Sequence, residues 1–333
     1  MGVGTGVRIA FACSLLAPSV LAAQRPVTLA EAIESALSRG PRVALAQSDL
    51  AAARAEVVAA RAFPNPLLSL EYTKSVPQYH GTLEQPLEFP WVRAARIRAA
   101  ESSALAAQYR LELERALLRY DVEVAYTRAA AARESHRLSV RTAREADELL
   151  AMVQRRRDAG DASELDVELA AISAGQLHNA ARTDSLQAVQ LLLDLQTLMG
   201  LPADRPRITL ADSLPLPAVS KAPGDAATPD SSPGAPLHVA VAQEALRAQE
   251  ATLALERRRR FEAPSVIVGV EGHDPTGSEK GVLPLVGVAV PLPIFHRNRG
   301  PIARARARLE RARLELKTVR RASEAAIARA ERE

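Results

Sequence analysis

The chain has 333 residues, of which 47% are hydrophobic, 25% are charged and only 3% are aromatic. This much apolar material excludes global disorder, while the scarcity of aromatic residues disfavours a β-sandwich and favours long helices in close contact. The net charge of +4 is too small to indicate nucleic-acid binding. The single cysteine, Cys13, excludes both a disulfide framework and a cysteine metal cluster.

The N-terminus has the pattern of a secretory signal peptide, predicted over residues 1–23. Arg8 supplies a basic start, Ile9–Leu16 an apolar core, and Val20–Ala23 a small-residue cleavage site. Pro18 makes the alternative, a buried N-terminal helix, the weaker interpretation. We therefore expect an exported mature protein without a lipid anchor.

A helix followed by two strands is predicted next. The helix runs from about Thr28 to Phe63 with an interruption at Gly40, and Pro64 cannot continue it. Apolar and polar residues then alternate over residues 68–73 and again over 82–88. This alternation predicts two strands, each apolar on one face and polar on the other.

Two long helices joined by a tight turn follow. The 69 residues from Trp91 to Ala159 contain neither Pro nor Gly, and their apolar residues recur at seven-residue spacing, which indicates a helix packed along other helices. A second helix is predicted over Ser163–Met199. Gly160 lies in the turn, where a left-handed conformation is expected, and Ser163 with Asp166 resembles an N-terminal capping pair. The segment is thus predicted to form an antiparallel helical hairpin.

The second half of the chain repeats the first. The segment Val43-Ala44-Leu45-Ala46-Gln47 returns in similar form at residues 239–243, and Pro86-Leu87 returns as Pro291-Leu292. Two further strands are predicted, around residues 266–270 and 286–290. The repeating block is helix, strand, strand, long helix, helix, and the fold class is mainly α with a small β part.

The repeat divides the chain into predicted domains. The first repeat covers residues 24–200, a Pro-rich linker covers 201–236 with one short strand at Arg207–Leu210, and the second repeat covers 237–333. Alignment of the two blocks leaves no counterpart for residues 129–199, so we expect the second repeat to be C-terminally truncated. Whether the chain is a fragment or naturally short stays open.

Several motifs resemble those of the TolC-like outer-membrane efflux proteins, and more closely the CzcC-type heavy-metal branch of that family. They lie at the predicted mature start, before the first long helix, at the hairpin turn, at the end of the second long helix and before the last helix: Val27-Thr28-Leu29-Ala30-Glu31-Ala32, Gln85-Pro86-Leu87-Glu88, residues 159–166, residues 198–202 and residues 290–300. Trp91-Val92-Arg93 departs from the Gly-Lys-Arg-like triplet that is common in this branch.

The resemblance implies a homotrimer in the outer membrane that extends into the periplasm. Each protomer would contribute four strands to one twelve-stranded β-barrel, and its long helices would form periplasmic coiled coils. The protein would be the passive outer-membrane channel of a tripartite efflux system, together with a periplasmic adaptor and an inner-membrane pump of the RND type. Edge strands independently favour closure, because open edges are not tolerated in lipid.

The resemblance also assigns site residues at the hairpin turn. The adaptor-docking tip would consist of six consecutive residues: Gly160, Asp161, Ala162, Ser163, Glu164 and Leu165. Asp166 matches a family position that helps to hold the closed entrance, so it is a candidate gate. An equally favoured interpretation of Asp166 is an ordinary acidic residue in the first turn of a helix.

No arrangement of residues indicates catalysis, a cofactor or a bound metal. The histidines never occur as an i, i+4 pair, which disfavours a zinc or copper site. Arg257–Arg260 could form a phosphate or nucleic-acid patch, but its position at the end of a predicted helix favours a solvated face. We therefore expect neither an enzyme nor a nucleic-acid-binding protein.

Two alternative functions fit the sequence less well than an efflux channel. A periplasmic adaptor would carry one helical hairpin between β-rich halves, whereas this chain has a duplicated block. A secreted structural coiled coil would not need the paired amphipathic strands. The cargo stays open between metal cations and other small toxic solutes.

Overall fold

A computed structural model describes residues 25–75, 77–212, 236–260, 263–273, 281–295 and 297–332. The predicted signal peptide and most of the predicted linker lie outside these described residues. The elements in chain order are β1 (Arg25–Val27), α1 (Leu29–Arg39), α2 (Pro41–Arg61), β2 (Leu67–Tyr72), β3 (Tyr79–Pro86), α3 (Pro90–Asp158), α4 (Glu164–Leu198), β4 (Ile208–Leu210), α5 (Leu237–Arg258), β5 (Ser265–Gly272), β6 (Val282–Ala289) and α6 (Arg299–Ala330).

Contacts divide the chain into two units. The hairpin unit comprises the described residues of Met1–Glu34 and Val122–Ala218. The sheet unit comprises Ser35–Asp121 and the described residues of Val219–Glu333. In the described parts of the chain, no helix combines the length and the apolar character that a membrane crossing requires.

The predicted order of helices and strands is confirmed, with differences at element ends. The predicted strand over 82–88 instead begins at Tyr79 and ends at Pro86. Leu87 leaves the β3 ladder and its N–H donates to the carbonyl of Pro264 at 2.7 Å. The strand β1 is absent from the sequence prediction, since three residues are too few to show a period.

In the hairpin unit, β1 and β4 form a two-stranded parallel sheet that pairs Val27 with Leu210. The buried side chain of Tyr126 on α3 fixes this sheet: its hydroxyl lies 3.0 Å from the Val27 carbonyl and accepts the N–H of Asp212 at 3.2 Å. Arg133, two turns further along α3, donates to the Leu210 carbonyl at 2.6 Å. Both strands of this sheet, β1 and β4, are therefore held by side chains of α3.

The start of α1 joins the same network. Thr28 and Glu31 form a reciprocal capping box, in which the Thr28 N–H donates to the Glu31 carboxylate at 3.0 Å and the Glu31 N–H donates to the Thr28 hydroxyl at 3.3 Å. The Leu29 N–H donates to the carboxylate of Asp212 at 2.8 Å. Thr28 and Glu31 of the first family motif thus have a capping function.

The buried amide of Gln196 holds the chain after α4. Its nitrogen donates to the carbonyls of Pro202 and Arg205, at 2.8 and 3.0 Å, and its oxygen accepts the N–H of Arg207 at 2.7 Å. The first residues of the predicted linker, 201–212, are consequently packed against the hairpin unit rather than extended away from it.

The sheet unit contains a four-stranded antiparallel sheet with the order β2-β3-β5-β6. The inner pair, β3 and β5, joins the strands of the two sequence repeats over eight paired residues. The outer strands β2 and β6 each have one edge without a partner strand in the described residues.

Arginines of α3 secure the end of α2 in the sheet unit. Arg96 donates to the carbonyls of Ala60 and Ala62 and to the carboxylate of Glu88, at 3.0, 2.9 and 2.8 Å. Arg93 donates to the carbonyl of Arg61 at 2.7 Å. These cations satisfy the free carbonyls that every helix leaves at its C-terminus, just before the prolines that end α2.

We predict that Tyr126→Phe lowers the free energy of unfolding by about 1–2 kcal/mol. The half-buried Asp212 N–H loses its acceptor, and the Val27 carbonyl keeps only the Ala211 N–H. Burial is the main cause that raises the pKa of Tyr126 in the folded protein. The contribution of the neutral Tyr126 hydroxyl to stability is therefore complete below the tyrosine pKa of the unfolded chain, near 10, and declines as the pH rises further. The measurement is urea unfolding of the detergent-solubilised protein at neutral and alkaline pH.

Tyr120→Phe is the matched control, because the Tyr120 side chain is largely exposed and its hydroxyl has no hydrogen-bond partner among the described residues. Equal stability of the two variants at neutral pH would contradict the role assigned to Tyr126.

Candidate functional sites

The turn of the helical hairpin is built on Gly160. Its φ of 84° lies in the left-handed region, as the sequence predicts. Its N–H donates to the Arg157 carbonyl at 2.9 Å, and the next N–H, of Asp161, donates to the Arg156 carbonyl at 2.8 Å. This pair of bonds is a Schellman motif, which ends α3 and satisfies its last carbonyls.

The other side of the turn is a capping box formed by Ser163 and Asp166. The Ser163 N–H donates to the Asp166 carboxylate at 2.8 Å, and the Asp166 N–H donates to the Ser163 hydroxyl at 3.2 Å. The backbone bond, followed by the hydroxyl bond, lowers the pKa of Asp166. The cap is therefore complete above the ordinary aspartate pKa and weakens as the pH falls below it.

The predicted gate residue Asp166 is thus engaged with its own helix start. This geometry matches the second interpretation of the sequence, a first-turn acid. The gate role stays a prediction.

Charged side chains surround the predicted docking tip. Arg157 donates to Asp158 at 2.5 Å and lies 3.4 Å from Glu164, and these partners, Asp158 first, raise the pKa of its guanidinium. Arg155 and Arg156 carry two more cations in the last turn of α3. Leu165 is also exposed, so the tip presents a large apolar side chain in a charged segment.

The second candidate region is the face of the sheet that carries apolar side chains. The register places Leu68, Leu83, Val268 and Val286 opposite one another in one row across all four strands. The exposed fraction is 77% for both Leu70 and Val286, and the apolar side chains of this face are not covered by the described chain. An uncovered apolar face of this extent indicates a contact with lipid or another protein surface.

The opposite face carries most of the polar side chains of β2, β3 and β5, with Leu67 and Ile267 as apolar exceptions. One row contains Glu71, His80 and Glu271, and Nδ1 of His80 lies 3.3 Å from the Glu271 carboxylate. The next row contains Ser69 and Thr82. The alternation in the sequence correctly predicted two chemically different faces.

Aromatic residues flank both ends of the strands, which the sequence analysis did not recognise. At the end where the strands join helices, Phe89 stacks on Trp91 with ring centres 4.5 Å apart, and Phe63 and Phe295 are exposed. At the other end Tyr72 faces Tyr79 at 5.2 Å. In a chain with so few aromatic residues, their placement beside predicted strands was the signal that could have revealed this pattern.

The outer membrane efflux protein family matches residues 32–201, about half of the chain. The chain belongs to the outer membrane efflux protein family. The structure resembles that of CusC, with a TM-score of 0.67 at 18% identity over 91% of this chain and 75% of that one. The chain therefore has the fold of a TolC-like outer-membrane channel protomer, as the motifs predicted.

Two heavy-metal resistance proteins are also similar in sequence. The cobalt-zinc-cadmium resistance protein CzcC of Cupriavidus metallidurans is 28% identical over 83% of this chain and 65% of its own length. The nickel-cobalt-cadmium resistance protein NccC of Alcaligenes xylosoxydans xylosoxydans is 28% identical over 93% of this chain and 72% of its own length. The chain thus spans slightly less than two thirds of the CzcC length.

We predict opposite effects of one substitution at two glycines of the hairpin unit. Gly160→Ala should destabilise the hairpin by about 1 kcal/mol because a β-carbon strains the left-handed conformation. Gly175→Ala, within α4, should stabilise it by about 0.5–1 kcal/mol. A β-carbon at either position meets no atom within 4 Å, so packing does not distinguish them. Thermal unfolding followed by helical circular dichroism measures both, and a shift in the same direction would refute the assignment.

Proposed function

We propose that the protein is the outer-membrane channel component of a tripartite efflux system. Three copies contribute four strands each to one twelve-stranded barrel, and the helices extend into the periplasm as coiled coils. The channel conducts passively and has no catalytic role. Family membership gives the class of protein, whereas the trimeric assembly, the pump and adaptor partners and the cargo are proposed.

The observation that carries this proposal is the sheet with one apolar exposed face and two free edges. In hydrocarbon the free N–H and C=O groups of an edge strand would each cost several kcal/mol, so the sheet must pair with further strands. Copies of the same chain supply such strands if β6 of one copy pairs with β2 of the next. Three copies of four strands give an even number of strands with no free edge.

The aromatic ends of the sheet support a membrane position. Eight residues of β3 or β5 extend roughly 26 Å at about 3.3 Å per residue, which is close to the apolar band of an outer-membrane barrel before strand tilt is considered. Aromatic side chains such as Trp91 and Tyr72 lie at the two limits of this span, where aromatic girdles of barrels meet the lipid headgroups.

We further propose that the polar face lines the conduit and suits cationic cargo. Glu71, Glu84 and Glu271 lie on this face by register, and carboxylate rings attract cations. Similarity to the cobalt-zinc-cadmium and nickel-cobalt-cadmium resistance proteins supports metal cations as the cargo class, with other small toxic solutes as the alternative.

The hairpin tip, residues 160–165, is proposed to dock a periplasmic adaptor that connects the channel to an RND-type inner-membrane pump. Its exposure and its two ordered helix ends make it a rigid projecting surface. Asp166 retains a proposed role at the closed entrance. The repeats at 24–200 and 237–333, with the linker 201–236 between them, are proposed as the domain boundaries.

We predict that Trp91, the only tryptophan in the chain, reports on membrane insertion. Its emission should shift to shorter wavelength in phosphatidylcholine vesicles and be quenched most by lipids brominated near the headgroup, because the ring lies at the proposed interface. Quenching by bromine at every depth equally, or none at all, would contradict insertion of the sheet.

We predict that Gly160→Val abolishes metal resistance in cells that carry the cognate pump, while Trp91 emission in outer membranes is unchanged. The β-carbon branch distorts the turn but lies outside the sheet unit. Gly175→Val is the control and should retain resistance. Retained resistance in Gly160→Val would exclude the tip from adaptor docking.

A further inference from the structure

A small surface cavity at the junction of α5, β6 and α6 carries an unusual concentration of positive charge. Its volume is about 260 Å³. The residues that line it are Arg260, Arg297, Arg299, Ile302, Ala303 and Arg306. Four of these six side chains are guanidinium groups, and no carboxylate lines the cavity among the described residues.

None of these four arginines forms an ion pair with another described residue, whereas some other arginines of α6 do. Within the described residues the only hydrogen bond from their side chains is from Nε of Arg297 to the Pro293 carbonyl at 3.3 Å. Further along α6, Arg311 pairs with Glu315 at 2.7 Å, and Arg313 pairs with Glu310 at 2.8 Å. Other arginines of α6, such as Arg320 and Arg321, also lack an ion pair among the described residues, but only at the cavity do four unpaired arginines line one space.

The sequence around the cavity has the same bias. Residues 297–308 contain five arginines and no acidic residue, and Arg257–Arg260 adds four more arginines. The net charge of the whole chain is only +4, so this excess is local. The sequence predicted a solvated helix end for Arg257–Arg260. The fold places Arg260 in one cavity with Arg297, Arg299 and Arg306.

The fold forces the arginines together. Asn298, between Arg297 and Arg299, adopts φ of 53° and donates through its amide to the carbonyl and the carboxylate of Glu256, at 2.7 and 2.8 Å. Leu253 of α5 packs with Ala305 of α6 in a buried cluster. These contacts hold the like charges close despite their mutual repulsion, which a bound anion would offset.

The cavity lies at the end of the sheet where the strands meet helices. Arg260 precedes β5 and Arg297 follows β6, and the first residue of β5 pairs with the last residue of β6 at this end. Arg258 donates to the Trp91 carbonyl at 2.9 Å, so the stacked pair of Phe89 and Trp91 lies at the same end. Between β6 and the cavity, the Phe295 side chain is 98% exposed.

This combination of an exposed aromatic side chain and an unpaired arginine cluster matches the two parts of a phospholipid. We propose that the arginine cavity binds the phosphate of an anionic phospholipid in the leaflet next to the helices, with Phe295 against the adjoining acyl chains. Guanidinium groups bind phosphate oxygens in a bidentate manner, and basic pockets at this depth select anionic headgroups. This inference rests on the proposed membrane position of the sheet.

The test uses the whole chain in zwitterionic detergent. Dansyl-labelled phosphatidylglycerol is the probe, and energy transfer from Trp91 reports its binding. Unlabelled phosphatidylglycerol, phosphatidylcholine and inorganic phosphate are the competitors. We expect phosphatidylglycerol to displace the probe and the other two competitors to fail.

The pocket variant is Arg299→Gln with Arg306→Gln. Loss of two arginines should weaken phosphatidylglycerol binding about 30-fold, from the stabilisation that each cation contributes at an anionic surface. The matched control is Arg320→Gln with Arg321→Gln, which removes the same charge from two exposed arginines of the same helix that form no ion pair with a described residue. The control should bind like the unchanged protein, and circular dichroism should confirm equal helix content in both.

Three results would overturn the inference. Equal weakening in both double variants would show that overall charge alone attracts the lipid. Displacement by inorganic phosphate as effectively as by phosphatidylglycerol would show a free-anion site. Insertion into phosphatidylcholine vesicles, followed by Trp91 quenching, is measured separately. Failure to insert counts against the proposed function. Normal insertion of a protein that does not prefer phosphatidylglycerol to phosphatidylcholine counts only against lipid binding by the arginine cavity.

Discussion

The backbone groups on the outer edges of β2 and β6 impose the strongest constraint on the sheet unit. Neither edge has a partner strand in the described chain, while the apolar row of Leu68, Leu83, Val268 and Val286 is uncovered. A water-exposed sheet could solvate its edges but would not present this face, and a lipid-exposed sheet could present the face but could not leave its edges free. Pairing between copies satisfies both conditions. The aromatic ends, the polar opposite face and the arginine cavity each have a place in that arrangement.

Local patterns in the sequence predicted much of this fold. The alternation around Leu68 and Leu83 predicted the two faces because side-chain direction in a strand depends only on position along the chain. Gly160 and the Ser163–Asp166 pair predicted both sides of the hairpin turn, since helix ends are determined by the few residues next to them. The segment Trp91–Ala159, which contains neither Pro nor Gly, predicted α3 with both ends within one residue of Pro90–Asp158.

Features that join distant segments escaped prediction. The short strand predicted at Arg207–Leu210 is confirmed as β4, but its partner β1 was not predicted, because the three residues Arg25–Val27 carry no periodic signal. The side chain that fixes both strands, Tyr126, is an ordinary tyrosine within a helix until the fold brings it to Asp212. Likewise Asn298 sits within a family motif, but its amide bonds to Glu256 could not be read from the motif itself. Pairwise contacts of this kind depend on tertiary packing and not on local propensity.

The central claim is that β6 of one copy pairs with β2 of the next until three copies close the sheet. Cysteine cross-linking in isolated outer membranes tests it most directly, with Ser69→Cys on β2 combined in turn with a cysteine at each position of β6. The one native cysteine, Cys13, lies in the predicted signal peptide. The account predicts covalent products that end at three subunits and form only for one narrow set of β6 positions. Products that end at two subunits, or cross-links equally efficient at every β6 position, would contradict it.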